Sequence, residues 1–189
     1  MKYRKTCKRY NDPGHAHALT FSCFGRQAFL SKDGSRHWFV DAVDRARSKH
    51  GFHVWAYVIM PEHVHLLVWP PEPVYDISEI LNSIKQSVSK RALLYVRLHA
   101  PAFLKRMEDR QPNGQVHYRF WQRGGGFDRN VVEPNAAYHE IEYMHNNPVR
   151  RGLCLHPEDW LWSSAADYAG LRTGPLKINR ESVPLIVAS

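Results

Sequence analysis

Two histidines separated by one residue, His63 and His65, are the strongest chemical feature of the sequence. They lie in an apolar run rich in β-branched residues, which predicts a β-strand. Side chains alternate between the two faces of a strand, so both imidazoles project to one side and Val64 to the other. Two neutral imidazoles on one face can chelate a divalent metal. In a chain with twelve histidines, a strand can also carry two of them merely as surface or hydrogen-bonded residues, so other features must decide.

A tyrosine and an asparagine supply that context. Tyr143 and Asn147 are four residues apart on the helix predicted for residues 133–147, so they share one helix face. The oxygen of Asn147 is a hard donor that could serve as a third metal ligand. Cleavage of a phosphodiester needs a nucleophile and a group that polarises the phosphoryl oxygen. Tyr143 and a metal held by the two histidines would meet both needs.

The elements that must position these residues alternate between strands and helices. The order is strand, helix, strand, strand, helix, strand, helix, which predicts an α+β fold with a ferredoxin-like split βαβ sheet and helices on one face. The strands are predicted at residues 17–24, 52–60, 63–69 and 116–121, and the helices at 34–50, 76–98 and 133–147. The fourth strand, 116–121, is followed by the glycine triplet 124–126.

Composition limits the class of protein. The chain has 189 residues, 43% hydrophobic residues and a formal charge of +8, which favours a folded domain with a polyanionic partner over a disordered chain. No apolar run is long enough to cross a membrane, and the N-terminus is too polar for a signal peptide, so we expect a cytoplasmic protein. Three widely spaced cysteines predict free thiols.

Clusters of Lys and Arg mark where a polyanion would bind. One cluster is an N-terminal arm, one is a face of the second helix, and one follows Tyr143. The residues predicted to contact the polyanion are Arg4, Lys5, Lys8, Arg9, Lys85, Lys90, Arg91, Arg150 and Arg151. Basic residues with neighbouring aromatic rings suit contacts to phosphates and stacked bases. A basic helix face can also be merely solvated. Trp160, Trp162 and Tyr168 are expected in the core.

Two segments resemble known motifs. Residues 57–68, YVIMPEHVHLLV, resemble the HUH motif of single-tyrosine transposases, and residues 143–153, YMHNNPVRRGL, resemble the tyrosine motif of their REP-associated branch. Further similarity lies in FWQ at 120–122, in Phe127-Asp128 and in WLWSSA at 160–165. The resemblance covers roughly residues 9–170, in family order, so the chain is similar to a REP-associated tyrosine transposase of the HUH-nuclease type.

The resemblance implies a chemistry for these residues. His63, His65 and Asn147 would bind Mg²⁺ or Mn²⁺, with His145 or Asn146 as alternatives to Asn147. Tyr143 would attack a DNA phosphate, forming a 5'-phosphotyrosine and freeing a 3'-hydroxyl.

The resemblance also implies a substrate and a setting. The partner would be single-stranded or hairpin DNA with REP-like sequences, in a bacterial cytoplasm, without an obligate protein partner. Residues 1–170 would form the transposase domain, with its basic arm, and 171–189 a C-terminal tail. Two other functions remain open: a DNA-hairpin-binding protein that has lost cleavage, and a metal hydrolase whose nucleophile is water.

Overall fold

The computed structural model describes residues 9–124 and 126–185. Its main sheet is antiparallel and has the order β2-β3-β1-β6. The strands are β1 (Ala16–Ser22), β2 (His53–Ile59), β3 (His63–Trp69), β4 (Glu108–Arg110), β5 (Val116–Tyr118) and β6 (Phe127–Val131). Strands β4 and β5 form a separate ribbon. Read from the other edge, the order is β6-β1-β3-β2. This is the strand order of a split βαβ sheet, so the predicted ferredoxin-like fold is confirmed.

Three long helices pack on the sheet, and two short ones follow. They are α1 (Asp33–His50), α2 (Ile77–His99), α3 (Pro134–His145), α4 (Asn147–Arg150) and α5 (Ala165–Tyr168). Helix α2 begins where the carboxylate of Asp76 accepts hydrogen bonds from the N–H groups of Ser78 and Glu79. No helix in these two described stretches is long and apolar enough to cross a membrane.

One face of the sheet is covered by α1 and α2. Leu66 of β3 and Phe21 of β1 point to this side and pack with Phe39 of α1 and Ile84 of α2. Apolar residues at helical spacing on α1 and α2 produce this layer, as the sequence predicts. It contains most of the large buried side chains.

The opposite face carries α3, so the prediction that the helices lie on one face is wrong for this helix. Ala137, Ile141 and Met144 of α3 pack against Val58 of β2 and other strand residues of that face. Strands β2 and β3 are buried on both sides over most of their length, and a sheet buried on both faces needs a cover on each. His63 and His65, at the start of β3, both lie on this second face, beside α3.

The fourth strand of the sheet is also corrected. The sequence predicts it at 116–121, but only Val116–Tyr118 is a strand, and it pairs with β4 instead. The sheet is completed by β6, which pairs with β1. Residues 120–122 still reach the sheet, since Gln122 donates from its backbone N–H to the carbonyl of Ser22 at 2.9 Å. The exposed side chains of Val116–Tyr118 suit a surface ribbon.

The helix that carries Tyr143 ends two residues earlier than predicted. Helix α3 ends at His145, and Pro148 then lies in the first turn of α4. Proline is tolerated there because its missing N–H has no partner in a first turn. Residues 143–150 therefore form a helix, a break of one residue and a further turn.

Residues beyond 170 pack on the domain. Leu176 and Ile178 join the core beneath α1, and Val183 joins the core beneath α3. The backbone N–H of Asn179 donates to the carbonyl of Val54 at 2.7 Å. The stretch expected as a tail thus contributes buried side chains as far as it is described.

Candidate metal and tyrosine site

The two histidines of β3 converge on one point. His63 and His65 project to the α3 side of the sheet, and their Nε2 atoms are 3.0 Å apart. Their rings are close to perpendicular, with centroids 4.8 Å apart. The sequence predicts this arrangement, in which both Nε2 atoms could bind one metal ion.

The other ring nitrogen of each histidine has its own partner. Nδ1 of His65 lies 2.9 Å from the hydroxyl of Thr20, its cross-strand neighbour on β1. Nδ1 of His63 lies 3.1 Å from a carboxylate oxygen of Glu62. Such contacts fix the orientation of an imidazole and leave Nε2 for a metal. Neither Thr20 nor Glu62 is recognisable as a site residue from the sequence.

Burial keeps both imidazoles neutral. Desolvation lowers the pKa of His65 to about 3, with a further contribution from His63. Desolvation also lowers the pKa of His63, although the neighbouring Glu62 opposes it. Since only a neutral imidazole can donate its lone pair to a metal, both side chains are in the ligating form at neutral pH.

Tyr143 of α3 lies beside this pair. Its side chain is 46% exposed, and its ring stands at 88° to the ring of His65, with centroids 6.2 Å apart. The guanidinium of Arg150, on α4, lies 4.9 Å from the centre of the same ring. A cation over an aromatic face is attracted by the ring and would stabilise negative charge on the phenolic oxygen.

The third ligand is the least defined part of the site. Asn147 donates from Nδ2 to the carbonyls of Tyr143 and Met144, at 2.9 and 3.3 Å. These bonds leave Oδ1 as the atom that a cation would use. In residues 9–124 and 126–185, no hydrogen bond joins Asn147 to either imidazole, and no group of three His, Cys, Asp or Glu side chains has metal-binding geometry.

Of the two alternatives to Asn147, His145 is engaged elsewhere. His145 is buried, with Nε2 at 2.8 Å from the hydroxyl of Ser164. Burial lowers its pKa to about 4, and it packs against Tyr168. Asn146 donates from Nδ2 to the carbonyl of Glu142, which leaves its Oδ1 for a cation in the same way as in Asn147. His145 is therefore a core residue.

A cleft opens between the sheet and α3. Its volume is about 560 Å³. Its lining residues are Thr20, His65, Phe127, Arg129, His139, Glu140 and Tyr143. Arg129 of β6 and Glu140 of α3 form an ion pair across it. Phe127 and Arg129 were not predicted as site residues because β6 was not recognised as a strand. His139 and Glu140 lie on the predicted helix, but no sequence pattern marked them.

A carboxylate links the histidine strand to the segment after Tyr143. Glu62 accepts from Nη2 of Arg151 at 3.0 Å and also contacts His63. Arg151 was predicted to contact DNA, and its side chain is 59% exposed. It therefore has a partner in the protein as well as access from outside.

The other basic residues fall in different surroundings. Arg9 pairs with the buried Asp128 at 3.0 Å, and Arg91 pairs with Asp41 of α1 at 2.5 Å. Lys85 donates to the carbonyl of Gly124 at 3.2 Å, and burial with the nearby Arg9 lowers its pKa to about 8. Arg4, Lys5 and Lys8 lie outside the described residues.

Lys85 and Lys90 do share a surface. Both line a groove of about 370 Å³ along α2, here named the basic groove, together with Tyr118, Arg119 and Arg123. Asp109 pairs with both of these arginines. The tyrosine and the two arginines come from β5 and the segment after it. Tyr118 and Arg119 lie in the strand predicted at 116–121, but the sequence did not mark them as DNA contacts.

Comparison with known proteins identifies the family. The model of the IS200-like transposase family matches residues 14–124. A REP-associated tyrosine transposase of Haemophilus influenzae is 23% identical over 140 residues, which cover 70% of this chain and 74% of that protein.

The fold is shared with a solved structure. The structure of a REP-associated tyrosine transposase bound to a REP hairpin matches with a TM-score of 0.67 and 19% identity, over 98% of this chain and 100% of that one. A transposase of Deinococcus radiodurans R1 matches with a TM-score of 0.44 and 17% identity, over 77% and 97% of the two chains. Since the family model spans more than half of the sequence, the chain belongs to the IS200-like transposase family.

Proposed function

We propose that this transposase-family protein is a metal-dependent single-strand DNA endonuclease and transposase. It cleaves at or near REP-type DNA hairpins through a 5'-phosphotyrosine on Tyr143, and rejoining of strands completes the reaction. The observation that carries the proposal is the meeting of an exposed Tyr143 with the converging imidazoles of His63 and His65 in one cleft.

The donor atoms fit a divalent cation. Two neighbouring ligands of an octahedral ion at about 2.1 Å lie about 3.0 Å apart, and the two Nε2 atoms have that separation. His63 and His65 would hold Mg²⁺ or Mn²⁺, with Oδ1 of Asn147 as third donor. When bound, the cation would polarise a phosphoryl oxygen of the DNA.

The chain's own residues supply the covalent step. The phenolic oxygen of Tyr143 forms a bond to phosphorus, and the bond from phosphorus to the 3'-oxygen breaks. The phosphate stays on the 5' end of the downstream strand, joined to Tyr143. The 3'-oxygen of the upstream strand leaves and takes up a proton to become a 3'-hydroxyl, which balances the proton that the phenol loses. Arg150, over the Tyr143 ring, stabilises the attacking phenolate. Reversal of the step rejoins strands.

The choice of substrate is supported by charge and by relatives. A formal charge of +8 favours nucleic acid. The proteins of similar sequence and fold include REP-associated tyrosine transposases, one of them bound to a REP hairpin. DNA hairpins with adjoining single strands are therefore the substrates to test.

The experiment uses labelled single-stranded DNA containing REP-like hairpins from the protein's own genome. Wild-type protein is incubated with Mn²⁺, with Mg²⁺ or with a chelator, and the products are separated on a denaturing gel. We expect a protein–DNA adduct that requires the metal and is absent with Tyr143→Phe. Tyr138→Phe, on the same helix, is the matched control and should retain the adduct.

The other outcomes separate the remaining functions. Metal-dependent cleavage without an adduct would indicate a hydrolase that uses water as nucleophile. Hairpin binding without any cleavage would indicate a binding protein. Either result would overturn the proposed tyrosine mechanism.

A further inference from the structure

A second cavity lies outside the tyrosine cleft. Its volume is about 530 Å³, which is in the range of small-ligand sites. It is walled by Arg36 from the first turn of α1, by Trp160 and Trp162 from the segment before α5, and by Arg172. We name it the tryptophan pocket. None of its residues contributes to the proposed cleavage step.

The centre of the pocket wall is a desolvated arginine. The guanidinium carbon of Arg36 lies 5.3 Å from the ring centres of both Trp160 and Trp162. The residue is 8% exposed. Its Nη1 donates to Asp33 at 3.1 Å, whereas its buried Nε has no partner within the described residues. Burial lowers the pKa of Arg36. A buried guanidinium with an unused donor is costly for stability, which points to a role other than packing.

The remaining walls offer a mixture of acceptors and donors. Asp33 and Asp159 line the pocket with the two arginines. Trp160 is only half-buried, and the neighbouring Leu161 is 62% exposed at the rim. A flat ring could therefore stack at Trp160 while its edge meets charged groups.

Contacts connect the pocket to the strand that carries the two histidines. The indole N–H of Trp160 donates to the carbonyl of Ile59 at 3.1 Å, and Ile59 pairs with Val64, between the two histidines. Leu153, on the pocket wall, follows Arg151, which contacts Glu62 beside His63.

We propose that the tryptophan pocket binds one unpaired base of the DNA strand that passes Tyr143, with guanine preferred. The inference rests on the proposed function for the identity of the ligand. Guanine presents two acceptors, O6 and N7, to arginine, and its N–H groups can donate to the carboxylates of Asp33 or Asp159. No other base matches two guanidiniums and two carboxylates as well. The pocket would thus select the sequence beside the cleavage position.

The test measures binding and uses the Tyr143→Phe protein, so that cleavage plays no part. The probes are fluorescent oligothymidylates that carry one central guanine, adenine, cytosine or thymine, and the readout is fluorescence anisotropy. We expect the guanine probe to bind about tenfold more tightly than the all-thymine probe, the discrimination typical of one good arginine–guanine contact. Arg36→Met should remove this preference, so that the guanine and all-thymine probes bind with equal affinity.

Two further variants keep the test decisive. Arg45→Gln, on the same helix but bonded to Ser87 of α2, should retain the preference. Arg172→Met removes the second guanidinium and should reduce the preference even if Arg36→Met fails to fold. Folding is checked by thermal melts.

Equal affinity for all four probes, or a preference that survives both pocket variants, would overturn the proposal. An adduct on Tyr143 with no base preference would refute the pocket alone, and a base preference without any adduct would refute cleavage alone.

Discussion

At the scale of single residues, the site depends on groups that hold the imidazoles from behind. His65 sits in a buried position where protonation is unfavourable, and Thr20 lies at its Nδ1. In the same way, a carboxylate oxygen of Glu62 lies at Nδ1 of His63. The two histidines can therefore present Nε2 in the same direction before any ligand arrives. Pre-orientation of this kind lowers the entropic cost of binding.

Removal of the Thr20 hydroxyl tests this view. Thr20→Val keeps the shape of the side chain but leaves Nδ1 of His65 without that partner. We expect Mn²⁺ affinity, measured by titration calorimetry, to fall about tenfold, as is typical for loss of an outer-shell contact. Thr173→Val makes the same change in the tryptophan pocket and should leave Mn²⁺ affinity unchanged. Unaltered affinity in Thr20→Val would show that the hydroxyl does not support His65.

The buried His145 predicts how stability depends on pH. Its pKa is lowered from 6.5 to about 4, so below pH 6.5 the unfolded chain takes up a proton that the folded chain does not. The contribution of His145 to the free energy of unfolding is fully present above pH 6.5. It decreases as the pH falls towards 4, by up to about 1.4 kcal/mol per pH unit. Urea unfolding at several pH values should show a smaller loss in His145→Gln than in wild type. The exposed His156→Gln should behave as wild type; equal losses in all three proteins would contradict the assignment.

At the scale of elements, the site is made by one strand and one helix on the same face of the sheet. The sequence predicts both, since the alternation in β3 and the helical pattern before Tyr143 are local. The prediction that Asn147 shares the helix of Tyr143 is wrong, because α3 ends at His145 and Asn147 begins α4. It does not predict β6, because an edge strand with one buried residue, Val131, has a weak alternation signal. Nor does it predict that α3 covers the face opposite α1 and α2, because that depends on tertiary packing.

The approach of β6 to β1 depends on a glycine. Gly126 has φ of +73°, and a Cβ there would overlap the carbonyl oxygen of Thr20. Gly114 has φ of +82° and open space around it. Gly114→Ala should therefore cost only the left-handed backbone strain, about 1 to 2 kcal/mol, whereas Gly126→Ala adds about 1 to 3 kcal/mol for the overlap. Urea unfolding of both variants measures the difference; equal destabilisation would contradict the close approach.

At the scale of the whole molecule, the basic side chains differ in their surroundings: some form ion pairs, and others line a groove. Several arginines are paired with carboxylates, including Arg9, Arg91 and Arg151. Lys85 and Lys90 line the basic groove with Tyr118, a combination suited to a DNA backbone and a stacked base. The sequence anticipates the two lysines, but the groove itself needs the ribbon of β4 and β5 to form its other side.

The basic groove predicts a salt-dependent contribution to DNA binding. Lys90→Gln should weaken binding of single-stranded DNA about equally for different sequences, and should reduce the slope of log affinity against log salt by about one. Anisotropy titrations over a range of salt concentrations measure both quantities. Lys49→Gln, at the exposed end of α1, should leave the slope unchanged. A slope that is identical in wild type and Lys90→Gln would exclude a phosphate contact at this position.

The central claim is that Tyr143 becomes joined to the 5' side of a cleaved strand, and the polarity of the adduct tests it most directly. The same hairpin substrate is labelled at its 3' end or at its 5' end, incubated with the protein and Mn²⁺, and separated on a denaturing gel. The adduct band is then digested with trypsin and its peptides are mapped by mass spectrometry. The 3' label should appear in the adduct, the 5' label in a free strand ending in a 3'-hydroxyl, and the modified peptide should contain Tyr143. A 5' label in the adduct, or a modified residue other than Tyr143, would contradict the account.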